Sequence, residues 1–294
     1  MIDSIINCKD IDEADALLLT VGYDRTASHR KGAVGGGLAV VKCLHEDIEF
    51  FDRYTKIETG YKYKISHVDM GNLNSLYPED MVSKVKEKYG QIYANKDRFP
   101  VILGGEHSIS IGAFQAISEL DDPQKITILQ IDAHPDLRND DSNANPDQTR
   151  PSKFAHSCVM RRAHELGFNI NQVGIRSYSK EEYDFFTKNE MVVFEWGLGK
   201  VPDIDKIIDS IKTEKVYIEI DIDGIDPAYL PATGTPVQGG LEWWYVIDLL
   251  REVVKVKNVI GLGLLEVSPF ENDVRTEYGA AQLCYHIISA KLNL

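Results

Sequence analysis

Lys125-Ile126-Thr127-Ile128-Leu129-Gln130-Ile131 runs directly into Asp132-Ala133-His134-Pro135-Asp136, and this join of an apolar run to a cluster of ligand-type side chains decides the fold. A run of strand length that is apolar on both sides of the pleat suits a strand covered on both faces. Similar runs recur at 15–21, 61–68, 100–103, 172–175, 191–195, 216–222 and 259–265, which makes about eight strands. Amphipathic stretches of helical length separate them, at 38–51, 79–94, 109–120, 179–188, 203–212, 244–254 and 275–290. Alternating strands and helices imply right-handed crossovers and a mainly parallel sheet with helices on both sides. The expected fold class is therefore α/β, a three-layer αβα arrangement.

With no internal repeat and no low-complexity linker, residues 1–294 are expected to form a single domain. The composition, 43% hydrophobic and 27% charged, excludes a disordered, collagenous or coiled-coil chain. Asp plus Glu minus Lys plus Arg is 46 − 32 = 14, a net charge of −14, so the basic footprint of a nucleic-acid protein is missing. Cys8, Cys43, Cys158 and Cys284 stand far apart without a Cys-x-x-Cys pair, which fits a reducing cytoplasm. The acidic start (Asp3, Asp10, Asp12, Glu13, Asp15) is unlike a signal peptide, and no stretch reaches the length of a membrane span. The segment 139–153, rich in Asp, Asn, Pro and Ser, reads as a surface loop or lid.

Three constellations carry chemistry. In an extended segment alternate side chains share a face, so Asp132, His134 and Asp136 point into one space; a turn with helix-capping aspartates is the alternative. In Val216-Tyr217-Ile218-Glu219-Ile220-Asp221-Ile222-Asp223 the isoleucines take one face and Glu219, Asp221 and Asp223 the other, as a half-exposed edge strand would also arrange them. The third, Gly104-Gly105-Glu106-His107-Ser108, follows a strand and precedes a helix, where the glycine pair permits a sharp turn. Ligand sites in open parallel sheets lie at the carboxyl ends of strands, where all three sit.

Four aspartates converging there would each cost several kcal/mol to desolvate unpaired, together more than the roughly 5–15 kcal/mol net stability of a domain. Only Arg138 adjoins these motifs as a counter-charge, so two divalent cations are the economical solution. Carboxylate-rich coordination with some imidazole and no thiolate suits manganese, with cobalt, nickel or iron also able to fit.

Together the motifs Gly104-Gly105-Glu106-His107, Asp132-Ala133-His134-Pro135-Asp136 and the Asp-x-Asp-x-x-Asp-Pro of 221–227 resemble the ureohydrolases, the family of arginase and agmatinase, over almost the whole chain. Arg30-Lys31-Gly32-Ala33 looks like that family's glycine-rich entry segment, with Gly35-Gly36 in place of the usual Gly-Pro and no proline before Tyr23. The resemblance implies an arginase-like fold and two Mn2+ per subunit. Asp132 and Asp221 would bridge the ions, His107 and Asp136 would complete one, and His134 and Asp223 the other. It further implies metal-assisted hydrolysis at a guanidinium carbon. Glu266, in Leu264-Leu265-Glu266-Val267-Ser268-Pro269, would hold the guanidinium, Asp136 would pass a proton to the departing amine, and His156 would exchange protons with solvent.

The substrate class is a small cationic guanidine. Arginases place an Asn where Arg138 stands here, and the segments 157–162 and 172–177 resemble agmatinases, so agmatine, giving putrescine and urea, is the expected substrate. Asp140, Asp141 and Asp147 of the long loop are candidates to face its ammonium group, or form a solvated loop. Aminopropylagmatine, guanidinobutyrate, guanidinopropionate and arginine are alternatives, because Arg138 or Arg150 could serve a carboxylate; a metal-binding scaffold without turnover is the non-enzyme alternative. Assembly as a homotrimer or homohexamer is implied by analogy with the family.

Overall fold

The 126–131 run is a strand buried along its whole length, flanked on each side by another strand of one parallel sheet. The computed structural model describes residues 4–142 and 150–293. Its strands are β1 (Ala16–Gly22), β2 (Phe51–Asp52), β3 (Ile57–Glu58), β4 (Ile65–Asn72), β5 (Phe99–Gly104), β6 (Ile126–Ile131), β7 (Asn169–Ile175), β8 (Val192–Glu195), β9 (Lys215–Asp221) and β10 (Asn258–Leu265). Its helices are α1 (Gly36–Glu46), α2 (Thr59–Lys62), α3 (Pro78–Tyr93), α4 (Ile109–Leu120), α5 (Val159–Leu166), α6 (Lys180–Lys188), α7 (Ile204–Ser210), α8 (Trp243–Val256) and α9 (Arg275–Leu292).

Eight strands form the sheet in the order β4-β1-β5-β10-β9-β6-β7-β8, while β2 and β3 pair as a separate antiparallel hairpin. Helices α1, α7, α8 and α9 pack one face, through Val40, Leu44, Ile207, Leu250, Val253, Leu283 and Ile287. Helices α3, α4 and α5 cover the other, through Met81, Val85, Ile111, Phe114, Val159 and Met160. Each large apolar side chain so enclosed contributes roughly 1.5–3 kcal/mol relative to exposure. No helix among the described residues is long and apolar enough to cross a membrane.

Several boundaries depart from the sequence pattern. The 61–68 run is shifted: Thr59–Lys62 turns as a short helix and the strand runs Ile65–Asn72. That strand is an edge, so it carries polar His67 and Asp69, both bonded to Thr20 of β1, at 2.9 and 2.8 Å. The 38–51 helix ends at Glu46, and Phe51 belongs to the hairpin. Helix α5 does not stand out in the apolar periodicity, because Arg161 and Arg162 interrupt a pattern only eight residues long, although the basic first turn after His156 is compatible with a helix start. The edge-strand alternative for 216–223 is excluded, since β9 lies between β10 and β6.

Because all the main-sheet strands are parallel, their carboxyl ends open on one rim. The adjacent strands β5, β10, β9 and β6 deliver there, in spatial order, His107, Glu266, Asp221 with Asp223, and Asp132 through Asp136.

Candidate metal centre

Gly105 shows why a glycine pair follows β5. A Cβ there would stand 1.9 Å from the Tyr23 carbonyl oxygen, and the chain at this point donates from Gly105 N to Val21 O (2.9 Å) and from Glu106 N to Tyr23 O (2.7 Å). The turn swings His107 into the rim, fully buried. Its Nδ1 lies 2.9 Å from Asp136 Oδ2, 3.4 Å from Asp132 Oδ2 and 3.6 Å from Asp221 Oδ2.

Across the cluster, His134 Nδ1 is 3.0 Å from Asp223 Oδ2 and 3.7 Å from Asp132 Oδ1. Two groups with ligand spacing result: His107, Asp132 and Asp136, and Asp132, His134 and Asp223. Asp132 belongs to both. Asp221 falls in neither group, yet it adjoins His107 and lines the same cavity as His134 and Asp136.

The 132–136 segment converges, but not through simple pleat alternation. Asp136 has φ of 51°, in the left-handed region, so a chain reversal brings it round, while His134 goes to the opposite group. Glu266 is likewise left-handed, at φ 65°. Non-glycine residues in this region cost of order 1–3 kcal/mol and persist where their surroundings enforce them. The enforcement here is visible: Met160 N and Arg161 N at the start of α5 donate to the Asp136 carbonyl at 3.1 and 3.2 Å, and Glu266 N donates to Gly105 O at 2.9 Å.

Glu266 Oε1 accepts from His107 N at 2.9 Å and lies 3.5 Å from His156 Nδ1. The Arg30–Ala33 segment straps this turn: Arg30 donates to the carbonyls of Ser268 and Pro269 and stacks on Phe270.

Electrostatics express a strong demand for positive charge. Burial, then repulsion from Asp223, Asp132 and Glu266, raises the Asp221 carboxyl well above the usual carboxylate range. Burial followed by Asp132 pushes Asp136 up to about 7. Burial would lower His107 and His134, but their carboxylate neighbours override it and raise both well above the ordinary histidine value. His156 rises to about 9, burial opposing and Glu266 with Glu106 prevailing.

The residues fit a pair of divalent cations. His107 Nδ1 is buried and hydrogen-bonded to nothing despite its three carboxylate neighbours, as a ligand atom aimed between them would be. The donors are oxygens and imidazole nitrogens, a hard-to-intermediate set without thiolate.

The cavity over this cluster measures about 280 Å³; of the candidate ligands His134, Asp136 and Asp221 line it, and its other walls include Arg138, His156, Ser177, Tyr178, Glu182 and Thr235. Arg138 faces Glu182 at 3.9 Å, whereas Arg150 is exposed beside Glu79 and does not line the cavity. Asp141 is buried and accepts from Ser152 N, which corrects its reading as part of a solvated loop; Asp140 is bound locally to Ser142. Asp147 lies outside the described residues.

Some residues that build the site carried no assigned role in the sequence. Gln130 donates to Asp132 Oδ2 (2.6 Å) and to the His134 carbonyl, while Gln172 donates to the Pro135 carbonyl (2.7 Å), so two glutamines on neighbouring strands brace the ligand loop. Arg176 spreads its guanidinium over the carbonyls of Gly174, Asp223, Gly224 and Val237. A polar side chain inside an otherwise apolar strand was the available signal.

Residues 14–289 match the family model described as the arginase family. The chain is 31% identical to N(1)-aminopropylagmatine ureohydrolase of Synechocystis sp., covering 94% of this chain and 89% of that protein. It is 30% identical to agmatinase of Pyrococcus horikoshii, covering 95% and 93% respectively. The agmatine ureohydrolase structure of Thermoplasma volcanium superposes with a TM-score of 0.84 at 28% identity, covering 100% of this chain and 95% of that one. An eight-stranded parallel sheet flanked by helices, two ligand groups sharing Asp132, and a match across nearly the whole chain lead to one conclusion: the chain belongs to the arginase family, the metal-dependent ureohydrolases.

Proposed function

We propose that this protein hydrolyses the guanidinium group of agmatine, giving putrescine and urea, at a pair of manganese ions. The observation that carries the reading is the clustering of His107, Asp132, His134, Asp136, Asp221 and Asp223 at the strand ends, with Glu266 bonded beside His107 and with His134, Asp136 and Asp221 open to one cavity. His107, Asp132 and Asp136 would hold one ion and Asp132, His134 and Asp223 the other, with Asp221 joining Asp132 as a bridge. Cobalt, nickel or iron would satisfy the same donors. Such ions, when bound, neutralise the carboxylates and lower the pKa of water enough to supply a nucleophile near neutral pH.

The chain's own residues do the rest. Glu266 offers its carboxylate to the planar guanidinium, held in place by the His107 N–H and by its enforced backbone. Asp136 lines the cavity and passes a proton to the departing nitrogen, because an amine leaves only when protonated. Water thus adds across the carbon–nitrogen bond: its oxygen stays with urea, and both of its hydrogens leave on the amine, which departs as an ammonium ion that carries the positive charge of the guanidinium. His156, beside Glu266 and on the cavity wall, exchanges protons with the exterior. The acidic chain, at −14, favours entry of a cation. Assembly into trimers or hexamers belongs to the same proposal and is read by sedimentation.

N(1)-aminopropylagmatine is the second reading, favoured by the 31% identity to the Synechocystis enzyme of that name. Urea release from agmatine, aminopropylagmatine, arginine, guanidinobutyrate and guanidinopropionate, with manganese supplied, tests both. The highest kcat/KM on agmatine supports the first reading and on aminopropylagmatine the second. Manganese binding without urea from any guanidine would identify a scaffold.

A further inference from the structure

Glu219 lies in the middle of β9, in the centre of the sheet, and is fully buried. A carboxylate there is costly unless something uses it. Its Oε1 stands 3.0 Å from His107 Nε2, on the side of the ring opposite the three aspartates, and its Oε2 has no hydrogen-bond partner. The neighbouring strand is shaped around it: Gly263 pairs with Glu219 across the β9–β10 ladder, and a Cβ at Gly263 would fall 2.0 Å from Glu219 Oε2.

Resting on the metal-centre reading above, we infer that Glu219 is a positioning residue that fixes the ring and tautomer of His107, and thereby sets the affinity of one ion position. An imidazole binds a metal through a nitrogen lone pair, and the other ring nitrogen then carries the proton. Glu219 accepts that proton's hydrogen bond at Nε2, leaving the Nδ1 lone pair to face Asp132, Asp136 and Asp221. A carboxylate acceptor also makes the imidazole a stronger donor than a neutral acceptor does. The effect belongs to the ion held by His107, Asp132 and Asp136. His134 and Asp223 belong to the other group, in which Glu219's partner His107 takes no part.

The test is metal binding, read without substrate. Glu219→Gln keeps the shape and an acceptor oxygen but removes the charge; Gly263→Ala leaves Glu219 in the sequence and crowds its carboxylate from the next strand. Manganese is titrated into chelator-treated full-length protein by calorimetry and by elemental analysis, with circular dichroism as the folding control. One of the two binding steps is expected to weaken about 10–100-fold in both variants, the other changing less than about threefold. At a manganese level that fills both sites of the wild type, the electron paramagnetic resonance spectrum is expected to change from a coupled pair in the wild type to an isolated ion in the variants. Wild-type affinity for both ions in folded Glu219→Gln overturns the inference, as does equal weakening of both steps. A lowered melting temperature with intact metal binding would assign Glu219 a merely structural role and overturns it too. Failure of the wild-type protein to bind two ions would instead refute the metal-centre reading itself.

Discussion

Asp221→Asn separates what the metal centre costs the fold from what it gains from cations. In the structure the Asp221 carboxyl is buried and repelled by Asp223, Asp132 and Glu266, which raises its pKa well above the ordinary value. Its Oδ1 accepts from Asp223 N at 2.9 Å, a bond that asparagine preserves. A carboxylate whose folded pKa exceeds its unfolded value loses stability to the fold at neutral pH, so removing the charge should stabilise chelator-treated protein, by about 1–3 kcal/mol on the scale of an uncompensated buried polar group. On the proposed reading the same change removes a ligand shared by two ions. An ion present at 100-fold above its Kd adds about 2.7 kcal/mol, and two add about 5.4 kcal/mol. At roughly 2 °C per kcal/mol for a chain of this size, saturation should raise the melting temperature of the wild type by about 11 °C and of the variant by little. Scanning calorimetry at pH 7, with chelator and then with manganese, reads both numbers. A variant that is less stable than wild type in chelator and still gains the full increment with manganese would refute the reasoning at both steps.

Glu266→Gln should keep both ions, because the role proposed for this carboxylate is to hold the guanidinium, while kcat/KM falls about 10²–10³-fold; unchanged kinetics would remove that role. Gly105→Ala, whose Cβ would meet Tyr23 O at 1.9 Å, should cost about 1–3 kcal/mol in urea unfolding, and an unshifted midpoint would contradict the close approach. Asp52→Ala should cost about 3 kcal/mol at pH 7, because Asp52 is buried and accepts from Tyr54 N, Thr55 N and His286 Nδ1. Burial opposes the ionised Asp52, but the bond from His286 and those from Thr55 lower its pKa; its contribution is present above the unfolded value of about 3.9 and fades as pH falls through the folded one. The gap between wild type and Asp52→Ala should therefore narrow between pH 5 and pH 3; a gap that stays constant would show that the charge is irrelevant.

The strands were legible where burial on both faces leaves mostly apolar residues, as in β5 and β6, each buried throughout. Legibility failed at β4, whose edge position admits His67 and Asp69, and at α5, where Arg162 is buried yet reads as a surface residue. The two-residue strands β2 and β3 carry no period at all. For the site, ligand-type residues were legible because their spacing is unusual: Asp132, His134 and Asp136 do converge. Their division between two groups was implied only through family resemblance, since spacing fixes neither the reversal at Asp136 nor the turn that brings His107 across.

Gln130 and Gln172, which carried no assigned role in the sequence, and Glu219, noted there only for sharing a face with Asp221 and Asp223, have one physical feature in common. Gln130, Gln172 and Glu219 sit inside strands, short of the rim, where a polar side chain is costly unless paired. The sheet register pairs Gly263 with Glu219, Glu219 with Gln130, and Gln130 with Gln172, making one row across β10, β9, β6 and β7 directly beneath the ligands. Within that row Glu219 contacts His107, Gln130 contacts Asp132, and Gln172 contacts the backbone beside Asp136. A strand rim presents ligands on loops, which are the least rigid parts of such a fold. A row of polar side chains in the rigid sheet gives those loops fixed points to bond to. On this argument the ligand geometry is held from below by the register of the sheet, and a change in the row should alter the ion positions before it alters the fold.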